Sequence, residues 1–184
     1  MVGDTFELTQ THTLQNLGIE LQDYRHKVTG ARHIHLASEK KENVFMVAFP
    51  TLPTDSSGVA HILEHTVLCG SEQYPVRDPF FMMMRRSLST YMNALTSSDW
   101  TAYPFATENK KDFHNLLSIY LDAAFFSRLD PLDFAQEGHR LEFADPQDPK
   151  SPLEIKGVVY NEMKGAMSSP VSQLYHRLKS HLFS

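Results

Sequence analysis

Alternating apolar and polar positions mark three strands in the first third of the chain. They cover residues 17–24, 32–37 and 44–50, which alternate or are rich in β-branched residues. The first two strands flank Thr29-Gly30, a pair of residues typical of a tight turn. We predict that all three strands belong to one mainly antiparallel sheet.

Apolar residues at helical spacing predict a first helix soon after the third strand. The residues before it carry side-chain oxygens that can cap its N-terminus, and Gly70 is a candidate C-terminal stop. The apolar face consists of Val59, Ile62, Leu63 and Val67. The candidate capping residues are Asp55, Ser56 and Ser57.

Further helical patterns and one hairpin follow along the chain. A turn at 96–99 within the β-rich stretch 91–106 predicts the hairpin. Asn109 is the predicted cap of a long amphipathic helix. Asp78-Pro79 begins another helix, with Phe80, Phe81, Met83, Met84 and Leu88 as expected core residues. Shorter helices are predicted at 129–134, ending by Gly138, and at 157–167 and 170–183.

This succession of strands and helices predicts an α+β fold. We expect a mainly antiparallel sheet packed with helices, as a two-layer sandwich. A length of 184 residues suits one domain. The helical pattern of 170–183 runs to the end of the sequence without a cap. We therefore expect the domain to be incomplete at its C-terminus.

The composition narrows the classes of partner and location. The chain has 17 Lys and Arg against 22 Asp and Glu and is 41% hydrophobic, as in soluble globular proteins. We expect no nucleic-acid partner, because phosphate binding needs a basic face. We expect no membrane partner, because no apolar run approaches the roughly 20 residues that span a bilayer. Residues 1–21 resemble neither a signal nor a transit peptide, so we expect a cytoplasmic location.

The segment His61-Ile-Leu-Glu64-His65 carries the strongest chemical signal. His61 and His65 are four residues apart, so on a helix their imidazoles lie on one face and can share a metal ion. Two neutral His and one carboxylate leave one position open on tetrahedral Zn²⁺, as catalytic zinc sites do. Glu64 is better placed as a general base than as a ligand. The segment has the H-x-x-E-H order of one class of zinc peptidases.

Spacing alone leaves the third ligand undecided, because ligands meet in space rather than in sequence. The candidate carboxylates are Glu108, Glu137, Glu142 and Glu162.

Cys69 is the only cysteine, so no intrachain disulfide can form. We expect Cys69 to be a small packed residue rather than a ligand or a nucleophile.

The chain closely resembles the pitrilysin and insulin-degrading-enzyme superfamily of zinc peptidases, and specifically its presequence protease branch. The resemblance extends from Gly58 to Lys164. The matching segments are 60–71, Arg77-Asp-Pro-Phe-Phe81, 87–94, Tyr103-Pro-Phe105, Gln136-Glu-Gly138 and 157–165.

This resemblance assigns roles to individual residues. It makes His61, His65 and Glu162 the ligands of Zn²⁺, and it makes Glu64 the general base. It also places Asn93, Ala94 and Leu95 in an edge strand that pairs with the substrate, since an exposed strand edge can bind any extended peptide. The expected substrates are short unfolded peptides, hydrolysed by a water molecule that zinc activates.

The resemblance also implies that part of the enzyme is missing. Its members are far longer, and their C-terminal half supplies an Arg and a Tyr that steady the reacting carbonyl. We therefore interpret residues 1–184 as the N-terminal part of a single zinc metallopeptidase domain. The missing C-terminal half would be its partner, and the isolated fragment would be inactive.

Two alternatives remain at this point. The chain could be a catalytically incompetent zinc-binding fragment or an assembly subunit of the same fold, although such subunits typically have a broken motif. It could also be an enzyme like S-ribosylhomocysteine lyase, which carries H-x-x-E-H in chains of similar length. That lyase needs a Cys ligand far downstream, whereas Cys69 follows His65 closely.

Overall fold

The computed structural model describes residues 4–182, which form two compact units, and the boundary between them in the sequence lies between Lys41 and Glu42. The N-terminal unit is an antiparallel sheet in the order β1-β2-β3. Its strands are β1 (Phe6–Leu14), β2 (Ile19–His26) and β3 (Arg32–Ala37). The β1 strand was not predicted, because its side chains are mostly polar and exposed and show no buried face. The predicted turn between β2 and β3 is confirmed.

The second unit contains another antiparallel sheet, with β7 at its centre. Its strands are β4 (Asn43–Pro50), β5 (Ser89–Met92), β6 (Leu95–Thr96) and β7 (Trp100–Thr107). β4 pairs with one side of β7, and β5 and β6 pair with the other side. The predicted hairpin is the β6–β7 pair. The prediction of one sheet for the first three strands is wrong, because β4 pairs with the distant β7 instead of β3.

Six α-helices and a small hairpin complete the second unit as described. The helices are α1 (Val59–Val67), α2 (Pro79–Arg86), α3 (Lys110–Phe126), α4 (Pro131–Glu137), α5 (Val158–Ala166) and α6 (Pro170–Leu182). The hairpin pairs β8 (Arg140–Phe143) with β9 (Leu153–Lys156) and lies between α4 and α5 in sequence. Phe183, within the predicted last helix, lies outside the described residues.

The helix ends test two predicted caps. At the start of α3, the Asn109 side chain accepts hydrogen bonds from the backbone N–H groups of Lys111 and Asp112, so the predicted cap is confirmed. The predicted side-chain cap of α1 is wrong. Gly58 occupies that position with φ 75°, and Asp55 instead accepts a hydrogen bond from the backbone of Ser57. The Asp55 oxygen that was predicted to cap the helix therefore stabilises a local turn instead.

A hydrophobic core joins the sheet around β7 to α1 and α3. It consists of Val67, Leu68, Tyr103, Phe105, Leu116, Tyr120 and Ala123. From α2, Phe80 and Met83 pack against this cluster. Phe81 and Met84 of α2, and Leu88 just after it, are exposed, so their predicted burial is wrong. The α2 helix therefore turns a single narrow face to the core. Because Val67 and Leu68 lie at the end of α1, the core fixes that helix against the sheet.

The sheets and helices confirm the predicted α+β class and the mainly antiparallel pairing. Among residues 4–182, no helix has both the length and the apolar character needed to cross a membrane.

Candidate metal centre

Helix α1 presents the two predicted histidines side by side. The ring centroids of His61 and His65 are 5.1 Å apart, with an angle of 70° between the ring planes. The helix packs against β6 and β7 and against α4 and α5. The four-residue spacing, which is one turn of a helix, thus produces the paired imidazoles that the sequence predicted.

Glu162 reaches this pair from α5. Its Oε2 atom lies 3.5 Å from His61 Nε2 and 3.6 Å from His65 Nε2. Two ligands bonded at about 2.1 Å to one tetrahedral ion are separated by about 3.4 Å. The three side chains therefore fit a single metal ion, and they form the one such group of His, Cys, Asp and Glu within residues 4–182.

A close backbone contact sets the position of α5. Gly157 comes directly before the helix, and a Cβ atom there would lie 2.0 Å from the carbonyl oxygen of Gly138. Gly138 itself follows α4 directly. Two glycines thus hold the ends of α4 and the β8–β9 hairpin together, so that α5 begins beside the end of α4.

Glu137, another candidate for third ligand, contacts the opposite side of His65. Its Oε2 atom lies 3.1 Å from His65 Nδ1, and its side chain is only 12% exposed. An ionised carboxylate only accepts hydrogen bonds, so Nδ1 carries the proton and the Nε2 lone pair faces Glu162. A carboxylate that holds the far nitrogen of a ligand histidine is the usual second contact of metal sites. The sequence offered Glu137 as a carboxylate but could not show which nitrogen it meets.

The remaining two candidate carboxylates lie elsewhere. Glu142 pairs with Arg140 at 2.6 Å and with Lys156 at 3.4 Å on the β8–β9 hairpin, and these cations lower its pKa. Glu108 is exposed and lies just before α3. Neither belongs to the group formed with His61 and His65.

Glu64 is the buried carboxylate of α1, with 9% of its surface exposed. Among residues 4–182, no hydrogen bond or ion pair uses its carboxylate. Burial raises the pKa of Tyr103 to about 12, and the nearby charge of Glu64 contributes to the shift. Tyr103 therefore stays protonated at neutral pH in the vicinity of Glu64.

Cys69 lies outside the metal group. Its Sγ atom donates to the carbonyl oxygen of His65 at 3.4 Å. Burial, with smaller contributions led by the charge of Asp133, raises the pKa of the Cys69 thiol to about 12. A thiol this hard to ionise is a poor metal ligand, because metals bind the thiolate. The structure thus favours the packing role that we predicted.

The predicted substrate strand lies at the β5–β6 edge of the sheet. Leu95 begins β6, whereas Asn93 and Ala94 form the break between β5 and β6. The backbone N–H of Asn93 donates to the carbonyl of Pro104 on β7 at 3.1 Å. Helix α1 packs against β6, which places this edge beside the helix that carries the histidines. Its role in substrate binding stays a prediction.

Comparison with known proteins supports the resemblance. The family model described as "Insulinase (Peptidase family M16)" matches residues 53–148, more than half of the chain. The mitochondrial presequence protease of Mus musculus is 59% identical over 89% of this chain and 16% of its own length. That of Xenopus tropicalis is 54% identical over 96% of this chain and 17% of its own length. The chain thus spans about a sixth of the length of these relatives.

A solved structure gives the same fold. A crystal structure of pitrilysin matches 71% of this chain and 14% of its own chain, with a TM-score of 0.61 and 22% sequence identity. At that identity the likeness concerns the fold alone. It confirms the predicted α+β fold of the pitrilysin type.

The comparisons also correct one prediction. The expected cytoplasmic location is wrong, because the relatives from mouse, Xenopus and Eremothecium gossypii are named as mitochondrial proteins. Our prediction used the lack of a leader pattern in residues 1–21, and such a lack carries no information about location. The matched family model leads to one conclusion about identity: the chain belongs to the insulinase family, peptidase family M16.

Proposed function

We propose that this chain supplies the metal ligands and the general base of a mitochondrial zinc endopeptidase. The observation that carries the proposal is the convergence of His61, His65 and Glu162, with the Glu162 oxygen 3.5 Å and 3.6 Å from the two imidazole nitrogens. Two nitrogens and one carboxylate oxygen are a donor set that zinc accepts in catalytic sites. Zinc, when bound, supplies a Lewis acid that polarises a carbonyl and makes water more acidic.

Glu64 would act first as the general base and then as the general acid of the reaction. A general base needs a carboxylate that is free to take up a proton, and Glu64 is buried without a partner among the described residues. Its carboxylate would accept the proton of the attacking water and then return that proton to the departing amine.

The substrates we propose are short unfolded peptides. An extended peptide can add to the β5–β6 edge through backbone hydrogen bonds that do not depend on its sequence. Asn93, Ala94 and Leu95 would form this docking edge beside α1. The relatives are named presequence proteases, which agrees with a peptide substrate and a mitochondrial location.

We further propose that peptide cleavage needs more of the enzyme than this segment. The chain spans about a sixth of its relatives' length. Groups that steady the charge on the reacting carbonyl supply a large part of peptidase catalysis, and the remaining sequence would provide them. The 184-residue chain should therefore bind zinc yet cleave peptides poorly.

Zinc binding to substituted chains tests the proposal. The wild-type chain should hold one zinc ion after dialysis, measured by mass spectrometry of the metal. His61→Ala, His65→Ala and Glu162→Gln should each lower the bound zinc sharply. His176→Ala and Glu154→Gln are matched controls at exposed positions outside the site and should keep the wild-type content. Equal zinc in all six proteins would overturn the assignment of the ligands.

A further inference from the structure

We propose that Arg77 is a positioning residue for the metal centre and acts on His65 through Gln136 and Glu137. The four residues form what we call the Arg77 relay. This inference rests on the proposed function, because it assigns His65 to a metal. Neither Arg77 nor Gln136 is one of the proposed ligands.

The relay is a continuous series of polar contacts. The Arg77 guanidinium donates through Nη2 to Gln136 Oε1. Gln136 Nε2 donates to Glu137 Oε1 at 2.9 Å, and Glu137 Oε2 lies 3.1 Å from His65 Nδ1. Arg77 comes from the loop before α2, whereas Gln136 and Glu137 close α4. The relay therefore connects two elements that are far apart in sequence to helix α1.

The two ends of the relay fix the directions of its contacts, Arg77 at one end and the Glu137 carboxylate at the other. A guanidinium only donates, so the amide oxygen of Gln136 must face it and the amide NH₂ must face Glu137. The Glu137 carboxylate only accepts, so His65 donates from Nδ1 and keeps Nε2 unprotonated. Without Arg77 the Gln136 amide is held by Glu137 alone. It then fixes the Glu137 carboxylate less firmly against His65 Nδ1.

Exposure makes this end of the relay suitable for substitution. The Arg77 side chain is 68% exposed, whereas the Glu137 side chain is 12% exposed. Replacing Arg77 therefore removes a hydrogen bond without opening a cavity. Arg77 also contacts Asp78 at 3.6 Å through Nε, so the test must separate the relay from this neighbouring pair.

Zinc affinity of the 184-residue chain provides the first measurement, by competition with a chelator. Arg77→Met should weaken zinc binding roughly 10-fold, the lower end of the effect of outer contacts at metal sites. Arg77→Lys keeps a donor and should restore most of the affinity. Arg85→Met is the control. It removes one positive charge from α2, where Arg85 has no partner among the described residues, and it should bind zinc like the wild type.

A double substitution separates the relay from the Asp78 contact. Gln136→Leu should weaken zinc binding about as much as Arg77→Met. If Arg77 acts through Gln136, the double variant loses no more affinity than either single variant. Additive losses would instead show that Arg77 acts by another route and would overturn the proposal.

The tautomer of His65 provides a second measurement that needs no metal. Nitrogen-15 NMR of the metal-free chain, recorded well above the ordinary His pKa of about 6.5, distinguishes the two neutral tautomers. The wild type should show the proton on Nδ1, and Arg77→Met should show a mixture. An unchanged tautomer together with unchanged affinity in Arg77→Met would overturn the proposal. A wild-type chain that binds no zinc would overturn the proposed function. The relay would still be tested in that case, because the His65 tautomer is compared between the metal-free wild type and Arg77→Met.

Discussion

The Nδ1 atom of His65 lies 3.1 Å from Oε2 of Glu137, whose side chain is 12% exposed. This contact orients the imidazole before any metal binds, because it fixes which nitrogen carries the proton. Its energetic value is greater than that of a surface pair, since water cannot easily replace the carboxylate. The proposed metal centre would thus depend on a residue that is not one of its proposed ligands.

Removal of this contact should weaken metal binding without removing a ligand. We expect Glu137→Ala to lower zinc affinity roughly 10- to 100-fold, as is usual when a ligand histidine loses its outer partner. Chelator competition on the 184-residue chain measures the effect. Glu154→Gln, at an exposed position on β9, is the control. An affinity within a factor of two of the wild type would show that Glu137 does not support His65.

Glu64 should be needed for hydrolysis but not for zinc binding. In an enzyme of the relatives' full length that carries this segment, we expect Glu64→Gln to retain one zinc ion and to lower peptide cleavage roughly 100- to 10,000-fold. The change keeps the size of the side chain and removes its ability to take up a proton. Cleavage of a fluorogenic peptide, with zinc content measured in parallel, checks both parts. Retained turnover would exclude Glu64 as the base.

The position of α5 should depend on Gly157. A Cβ atom at this residue would meet the carbonyl oxygen of Gly138 at 2.0 Å and its carbon at 2.7 Å, so the backbone must move. We expect Gly157→Ala to displace Glu162 and to weaken zinc binding roughly 10-fold or more.

Gly165 offers a matched control on the same helix. A Cβ atom there meets nothing within 4 Å. Gly165→Ala should preserve zinc binding and stabilise the chain by about 0.5–1 kcal/mol, because alanine favours a helix more than glycine does. Chemical denaturation and chelator competition measure the two quantities. Equal zinc affinities in the two variants would show that the Gly157–Gly138 contact does not position the ligand.

The N-terminal unit should lose stability in acid through Asp23. Arg32 donates to this carboxylate at 2.9 Å and holds the pKa of Asp23 below its ordinary value. A carboxylate whose pKa falls on folding stabilises the fold above its unfolded pKa of about 3.9 and loses that contribution as the pH falls through its folded value. Asp23→Asn should therefore be less stable than the wild type at neutral pH, with the difference disappearing in acid.

Amide exchange of β2 and β3, recorded against pH, measures the stability of this unit. Glu39→Gln changes an exposed carboxylate of the same unit and should not alter the pH dependence. If the wild type and Asp23→Asn differ by the same amount at every pH, the ion pair does not account for the acid sensitivity.

Local features of the sequence predicted local features of the structure. The paired histidines follow from a four-residue spacing on one helix, and the α3 cap follows from a single Asn side chain. Long-range features were harder to predict. Alternation marked β4 as a strand but could not show that its partner is β7, because pairing is decided by the whole fold.

The metal site shows the same division between local and distant information. Residue chemistry left four carboxylates open as third ligand, and only the family resemblance selected Glu162. The structure brings Glu162 to Nε2 of His65 and Glu137 to Nδ1 of the same ring. Sequence spacing could not separate these two roles, because both carboxylates come from helices that the β8–β9 hairpin separates.

His61, His65 and Glu162 are proposed to hold one zinc ion. Diffraction from crystals of the zinc-loaded chain, recorded on both sides of the zinc absorption edge, locates the metal directly. We predict one anomalous peak per chain, at about 2.0–2.2 Å from Nε2 of both histidines and from a carboxylate oxygen of Glu162. A peak at other side chains, or none at these three in crystals whose solution contains zinc, would exclude these residues as the zinc ligands.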